Sequence, residues 1–224
     1  MKQATMIQVR GSIPEIIENT EEIYEGNLGH YFCVIFGAKN VTHQYHNFRH
    51  MLHVTFLCYN ACLFYVNELT KREMRNLLIA ALFHDYNHPG RTGDDDLNIE
   101  IATRGLKKAV LPEDEEHLQG VCEIIRPTQY PYIVEAAELS LLQGILRDAD
   151  VAQAFNPAWI QPVVFGLGEE MGVAPIKVLE MQESFISNLK FNTVWGHEMF
   201  EQARAEKIAE AKRLLSILRK YQKQ

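Results

Sequence analysis

An all-α fold is what this sequence predicts, from three observations: capping signatures ahead of apolar runs of helical period, prolines placed where helices would begin, and no sustained alternation of apolar and polar residues bounded by turn residues. Ser12 precedes Glu15, and Thr70 precedes Glu73, at the spacing where hydroxyl and carboxylate cap each other's backbone N–H groups. After Thr70, the run KREMRNLLIAALFHD places Met74, Leu77, Leu78, Ala81 and Leu82 on one stripe, so a helix buried on one face is expected there. It should stop near Asp85 or Tyr86, because Asn87, Pro89 and Gly90 follow and a residue before proline is pushed out of the α region. Further helices are expected at 43–68, 97–110, 113–126, 131–147, 157–171, 175–191 and 194–221, with Pro112, Pro131, Pro157 and Pro175 marking starts. The acidic run Asp94–Asp96 reads as a loop ending in a helix N-cap. In the last helix Ile208, Ala211, Leu215 and Leu218 have heptad-like spacing, and Lys and Arg gather at its C-terminal, negative end. Packing on its own domain is the expectation for that helix, with a homodimer contact as the alternative.

With 224 residues, 47% of them hydrophobic, the chain is expected to form one domain over 1–224, its chemistry-bearing residues between about 43 and 195. A formal charge of −7 and a pI near 5.7 exclude nucleic-acid binding through a general basic surface, since affinity for phosphate backbones comes largely from Lys and Arg. No run approaches the roughly 18 apolar residues of a membrane span, and the first residues form no apolar leader, so the expectation is a soluble, cytoplasmic protein. Cys33, Cys58, Cys62 and Cys122 make no CxxC pair and are expected to be buried and reduced.

Six of the nine histidines fall in two stretches, His43, His46, His50 and His53 in one and His84 and His88 in the other. His46 and His50 are four apart and share a helix face. His84 and Asp85 are adjacent at a helix end, and RDAD supplies Asp148 and Asp150 far downstream. A histidine, a His-Asp pair and a late aspartate make an N₂O₂ donor set, which suits Zn²⁺, Mn²⁺ or Fe²⁺ better than Ca²⁺.

The order H…HD…D resembles the HD superfamily of metal-dependent phosphohydrolases, and the match is closer to the class I cyclic-nucleotide phosphodiesterases. Tyr45-His46-Asn47-Phe48-Arg49-His50 is similar to their YHNxxH, and His84 to Gly90 to their HDxxHPG. Asn98 to Ala102 is similar to NSELA, Ala149-Asp150 to the alanine and aspartate of the last ligand, and Gln182 to Ile186 with Trp195 to QxxFI…W. The resemblance implies that His50, His84, Asp85 and Asp150 bind a first metal, Zn²⁺, and that Asp85 bridges to a second, Mg²⁺ or Mn²⁺. It implies His46 as proton donor to the leaving oxygen, His88 as the residue orienting the water-filled metal centre, and Glu100 as its hydrogen-bond partner. Gln182 would read the purine edge and Phe185 stack on the base, with Tyr45 and Asn98 as further substrate contacts. The substrate implied is a small-molecule 3′,5′-cyclic nucleotide, cAMP or cGMP, hydrolysed to the 5′-monophosphate. Two cations can neutralise a phosphodiester and lower the pKa of a bridging water to give hydroxide, so metals rather than Lys and Arg would hold the anion on a net negative protein.

The chain departs from the family pattern at Gly93, where asparagine is usual, and at Val151-Ala152-Gln153 after the last ligand. Where the family has a glutamate that orients the proton donor, this chain places Val163, with Glu169 and Glu170 as candidate replacements. Competing expectations are an HD-type nucleotidase, a di-iron oxygenase drawing on His88 and His117, and a non-catalytic nucleotide-binding module.

Overall fold

The computed structural model describes residues 11–91, 93 and 95–221, and among these every regular element is helical. In chain order they are α1 (Ile13–Glu18), α2 (Gly29–Phe36), α3 (Phe48–Phe64), α4 (Lys71–Phe83), α5 (Asp95–Ala109), a 3₁₀ segment Pro112–His117 and α6 (Leu118–Ile125). Then follow α7 (Leu141–Val151), a π-helical run Ile160–Leu167 continuing into α8 (Gly168–Glu170), α9 (Pro175–Asn188), α10 (Val194–Phe200) and α11 (Arg204–Tyr221). Both capping boxes are formed, Ser12 with Glu15 and Thr70 with Glu73.

Several boundaries differ from expectation for local chemical reasons. The helix expected over 131–147 begins only at Leu141, where Ser140 and Gln143 make a third capping box, so Pro131 starts no helix. The helix expected from 43 begins at Phe48, because the Asn47 side chain accepts from the His50 N–H and fixes the start. Pro157 precedes a turn, and the helix after it opens at Ile160. The C-terminal stretch is two helices, divided by a 3₁₀ turn at Glu201–Ala203. Asp94 lies outside the described residues, and Asp95 opens α5. All four cysteines are free, but Cys33 is exposed, since α2 turns Tyr31 and Ile35 inward instead.

The main core is built from α3 and α4, packed on each other, with α6 and α7 against α4 and α3. A smaller apolar cluster, Trp159, Val163, Val164, Val178, Leu179 and Ala211, joins the π-helical run to α9 and α11. Ala211 and Leu215 thus turn toward α9, while Ile217, Leu218 and Tyr221 stay exposed. No helix among the described residues is long and apolar enough to cross a membrane.

The α4 helix leads at its C-terminal end into His84 and Asp85. Its N-terminal half is anchored by a buried network in which Asp114 accepts from Arg75 Nε (2.8 Å) and Nη2 (2.7 Å), Arg72 Nη1 (2.6 Å) and Tyr31 Oη (2.7 Å). Burial alone would raise the Asp114 pKa, but its bonds to Arg75, Tyr31 and Arg72 outweigh this and hold it at about 2. That depression contributes stability present above about pH 4 and lost as pH falls through 2. Asp114→Ala leaves the buried Arg75 unpaired and should cost about 3–5 kcal/mol in urea unfolding. Glu100→Ala, on the surface of α5, should change stability by under about 0.5 kcal/mol. Similar unfolding midpoints for the two variants would contradict the anchoring role of this network.

Candidate active site

Two motifs distant in sequence are stitched together by one buried side chain. Asn40 Nδ2 donates to His46 O (2.7 Å) and Asp85 O (2.8 Å), and its Oδ1 accepts from Asn87 N (2.9 Å). Asn47 adds a local lock by donating to His43 O (2.7 Å) while capping α3. Gly90 has φ +67° and lies so close to the His43 ring that a Cβ would sit 2.8 Å from Nδ1, which explains the glycine that closes HDYNHPG.

This framework brings His50, His84, Asp85 and Asp150 to a common point, with one donor atom from each within 4.8 Å of the others. His50 Nε2 lies 3.0 Å from Asp150 Oδ1, 3.3 Å from Asp85 Oδ2 and 3.4 Å from His84 Nε2. His84 Nδ1 donates to Ala81 O at 2.7 Å, which turns the Nε2 lone pair inward. Burial alone would lower the His84 pKa, but the Asp85 and Asp150 carboxylates raise it well above its ordinary value. Asp85 is correspondingly held well below the usual carboxylate range, chiefly by His84 against the opposing effect of burial. Asp150 is lowered to about 2 by hydrogen bonds from His50 and His84, again against burial. Asp85 Oδ2 is buried without a hydrogen-bond partner. Two inward imidazole nitrogens, two ionised carboxylates and an orphaned carboxylate oxygen fit a divalent cation and no neutral occupant as well. Asp148 is excluded from this set, because its carboxylate accepts from the backbone and side chains of Asn192 and Thr193 at 2.7–2.9 Å.

His46 shares no helix with His50, since it lies ahead of the extended Asn47 cap of α3; its ring is 6.1 Å from that of His50 and is held by Glu170. The carboxylate accepts from His46 Nδ1 at 2.5 Å and from the backbone N–H groups of Tyr45 (2.6 Å) and His46 (3.1 Å). Burial would lower the His46 pKa, but Asp85 and the Glu170 bond give it a net rise above 6.5. Glu170 reaches His46 because the π-helical run before it passes against the backbone of Gln44, where only glycine fits at 166. Val163 is buried in the small apolar cluster, so the carboxylate facing His46 comes from the far end of that run.

Other expected site residues are placed differently. Glu100 does not reach His88; its exposed carboxylate pairs with Arg104, one turn along α5, because its side chain leaves the outward face of that helix. Asn98, on the inward face, takes that place with Nδ2 2.8 Å from His88 Nε2, and is buried with its Oδ1 unpartnered. His88 Nδ1 accepts from Gly90 N (3.0 Å), so both of its ring nitrogens are occupied and its ring stacks on His46 at 3.8 Å instead of facing the cluster. Burial lowers its pKa to about 4. The Tyr45 ring lies 4.9 Å from His50. Gln182 is buried with Nε2 donating to Val178 O at 3.4 Å and Oε1 unpartnered, while Phe185 is partly exposed on the same helix. A cavity of about 140 Å³ beside His50 is lined by Tyr45, Asn47, Gln153, Gln161 and Pro162, among them the Gln153 and Gln161 amides, to which the sequence motifs assign no role. His117 lies beside Glu116 and joins neither donor cluster among the described residues. Sequence reasoning also missed Asn40, whose only signal is its distance of six residues before His46.

With this geometry in place, comparison with known proteins is informative. The family model of 3′5′-cyclic nucleotide phosphodiesterases matches residues 45–153. Among solved structures, the chain is similar to the crystal structure of the phosphodiesterase domain of Salpingoeca rosetta rhodopsin phosphodiesterase, with a TM-score of 0.62, 16% identity, and coverage of 86% of this chain and 82% of that one. No curated protein matches the chain. Residues 45–153 are thus similar to the 3′5′-cyclic nucleotide phosphodiesterases, and the chain as a whole has the fold of a phosphodiesterase domain, which supports an enzyme of the hydrolase class.

A cation bound by the four donors should stabilise the fold through linkage. At a Zn²⁺ or Mn²⁺ concentration 100-fold above Kd the gain is about 2.7 kcal/mol, or roughly 5–11 °C in Tm for a domain of this size. Differential scanning fluorimetry should show that shift in the native chain and in Asp148→Asn, and lose it in Asp85→Ala. An equal shift in Asp85→Ala would exclude these four residues as the site.

Proposed function

We propose that this chain hydrolyses the phosphodiester of a 3′,5′-cyclic nucleotide to the 5′-monophosphate, using His46 as general acid. The observation that carries the reading is the His46–Glu170 pair, held with the His46 ring 6.1 Å from that of His50, beside a buried N₂O₂ cluster. The match of residues 45–153 to the cyclic-nucleotide phosphodiesterase family supports the substrate class.

In this reading His50, His84, Asp85 and Asp150 would hold Zn²⁺, and a second cation, Mg²⁺ or Mn²⁺, would draw on Asp85. Such cations supply charge neutralisation for the phosphate and acidify bound water. The protein's own task is the leaving group. Water adds to phosphorus, the P–O3′ bond breaks, and the departing oxygen takes a proton from His46 Nε2; the proton lost by the attacking water restores His46 for the next turnover. Glu170 performs two jobs. By accepting from Nδ1 it leaves Nε2 as the outward nitrogen, and its charge raises the His46 pKa so that the acid form is populated near neutrality.

A cation drawing on the second donor group, His46, His88 and Glu170, is disfavoured by the direct 2.5 Å bond between His46 and Glu170 and by the prior engagement of both His88 nitrogens. This argues for a hydrolase over a di-iron oxygenase. Base recognition is assigned to Gln182 and Phe185, with the Gln153 and Gln161 amides beside Tyr45 as a further set.

A hydrolysis panel of cAMP, cGMP, nucleoside monophosphates and an aryl phosphodiester tests the reading. Turnover of cyclic nucleotides is expected, and turnover of monophosphates alone would overturn it. His46→Ala should lower kcat by about 10²–10⁴ with metal content intact. Glu170→Gln should lower kcat by about tenfold or more, since it weakens the orientation and acidity of the same acid. Because His46 donates in its protonated form, kcat falls as pH rises through its pKa. Removing the Glu170 charge lowers that pKa, so the alkaline limb of the profile should move to lower pH. An unmoved limb would show that Glu170 does not act through His46.

A further inference from the structure

The structure has two apolar cores, and the residues of the candidate site divide between them. His50, His84, Asp85 and Asp150 come from α3, the end of α4 and α7, the helices of the main core. Glu170 comes from the end of α8, and the π-helical run that leads into it belongs to the small cluster that includes Trp159, Val163, Val178 and Ala211. Tyr45, whose N–H donates to Glu170, packs against that same small cluster. The carboxylate that holds His46 therefore has a different support from the four donors.

Packing on both sides fixes Glu170 along that support. At Gly166 the run lies against the Gln44 backbone, where an added Cβ would overlap Gln44 O. Two residues on it meets α9, since an added Cβ on Gly168 would stand 3.1 Å from Cγ2 of the buried Val178. Two residues further is Glu170, which accepts from the Tyr45 N–H (2.6 Å), the His46 N–H (3.1 Å) and His46 Nδ1 (2.5 Å). The turn that follows closes on the same place, with the Val173 N–H donating to Gly168 O at 2.8 Å. The run is thus held between the backbone of 44–46 and Val178. Behind α9 lies α11, joined to it by Ala211 and Leu215 at the seam and by two ion pairs, Lys212–Glu183 (2.7 Å) and Arg219–Glu180 (2.8 Å). Exposed ion pairs contribute little, so the apolar seam is what keeps α9 in place.

We propose that Val178 is a positioning residue for the His46–Glu170 pair: by filling the space behind Gly168 it keeps the run against the Gln44 backbone and so sets Glu170 on His46. The inference deepens the phosphodiesterase reading and rests on it for the catalytic consequence. Close-packed interiors transmit displacement, and a gap left by removed methyls is filled only in part by its neighbours. A gap behind Gly168 lets the run relax away from Gln44. The carboxylate that three N–H groups share then moves with it, and His46 loses its orientation. The four donors, mounted on the main core, keep their places. Val178 therefore governs how well the acid is aimed, while the hold on a cation is left intact.

The test is Val178→Ala beside Val121→Ala, the same truncation at a buried position of α6 in the main core. Three readouts separate positioning from general loosening. The first is hydrogen exchange, read by NMR, at the Tyr45 and His46 amides that donate to Glu170. In Val178→Ala these two amides should exchange about tenfold faster than in the native chain, and in Val121→Ala at about the native rate. The second is the metal-induced rise in Tm, which should persist in both variants. The third is kinetics on cAMP or cGMP. Val178→Ala should lower kcat about tenfold with KM within about threefold, and Val121→Ala should leave both within about twofold. Unchanged exchange at the two amides in Val178→Ala would overturn the proposal. Equal acceleration in Val121→Ala, loss of the metal-induced shift in Val178→Ala, or faster exchange with no fall in kcat would overturn it as well. Failure of the native chain to hydrolyse cyclic nucleotides would count against the functional reading, and exchange at the two amides would still decide whether Val178 sets Glu170.

Discussion

The meeting of two imidazole nitrogens and two carboxylates in a buried space is the constraint on which the rest of this structure depends. His50 and His84 bring their Nε2 atoms within 3.4 Å of each other, and Asp85 and Asp150 bring negative charge to the same point. Such a cluster is costly to assemble from three separate segments, and its surroundings are organised to hold it. Asn40 ties the segment before α3 to the end of α4 through three hydrogen bonds. Asp148, two residues before Asp150, fixes the end of α7 to the loop that precedes α10. Far from the cluster, Asp114 and Arg75 anchor the N-terminal half of the helix that delivers His84 and Asp85.

Beside this centre stands a second feature, His46, the proposed acid, with a carboxylate partner from far along the chain. Glu170 closes on His46 from the end of a π-helical run, with Gly166 giving the close approach to the Gln44 backbone that brings the run within reach. Wider helical turns of this kind shift the register of everything downstream, and they recur at functional sites. The chemical requirement is a carboxylate at Nδ1 of the acid, and the position along the chain that supplies it is free to move when the local helix geometry moves with it.

What was legible in the sequence follows the range of the interactions involved. The all-helical class and the starts of α1 and α4 rest on contacts within three residues, and the capping boxes made them readable. The donor residues were readable because short motifs carry them, and resemblance at Ala149-Asp150, not the residues alone, pointed to Asp150 over Asp148. That choice depends on Asn192 and Thr193, some 44 residues away in the chain. Glu170 was readable only as one of two candidates, with Glu169, and Asn40 not at all, since their contacts span 124 and 45 residues. Glu100 was misassigned because the motif alone does not say which face of α5 turns inward; Asn98, two residues earlier, has that face. The segment from Pro131 was misread as helix because the tertiary clamp by Arg147, and the capping box at Ser140, decide where α7 begins.

The central claim is that His50, His84, Asp85 and Asp150 form the metal centre while His46 and Glu170 stay free to handle a proton. Crystals grown with Zn²⁺ or Mn²⁺, with anomalous diffraction recorded at the absorption edge of the metal, test it most directly. The account predicts an anomalous peak within about 2.0–2.3 Å of His50 Nε2, His84 Nε2 and a carboxylate oxygen of both Asp85 and Asp150, with His46 still bonded to Glu170. A peak ligated by His46, His88 and Glu170, or no peak at the four-residue cluster, would contradict it.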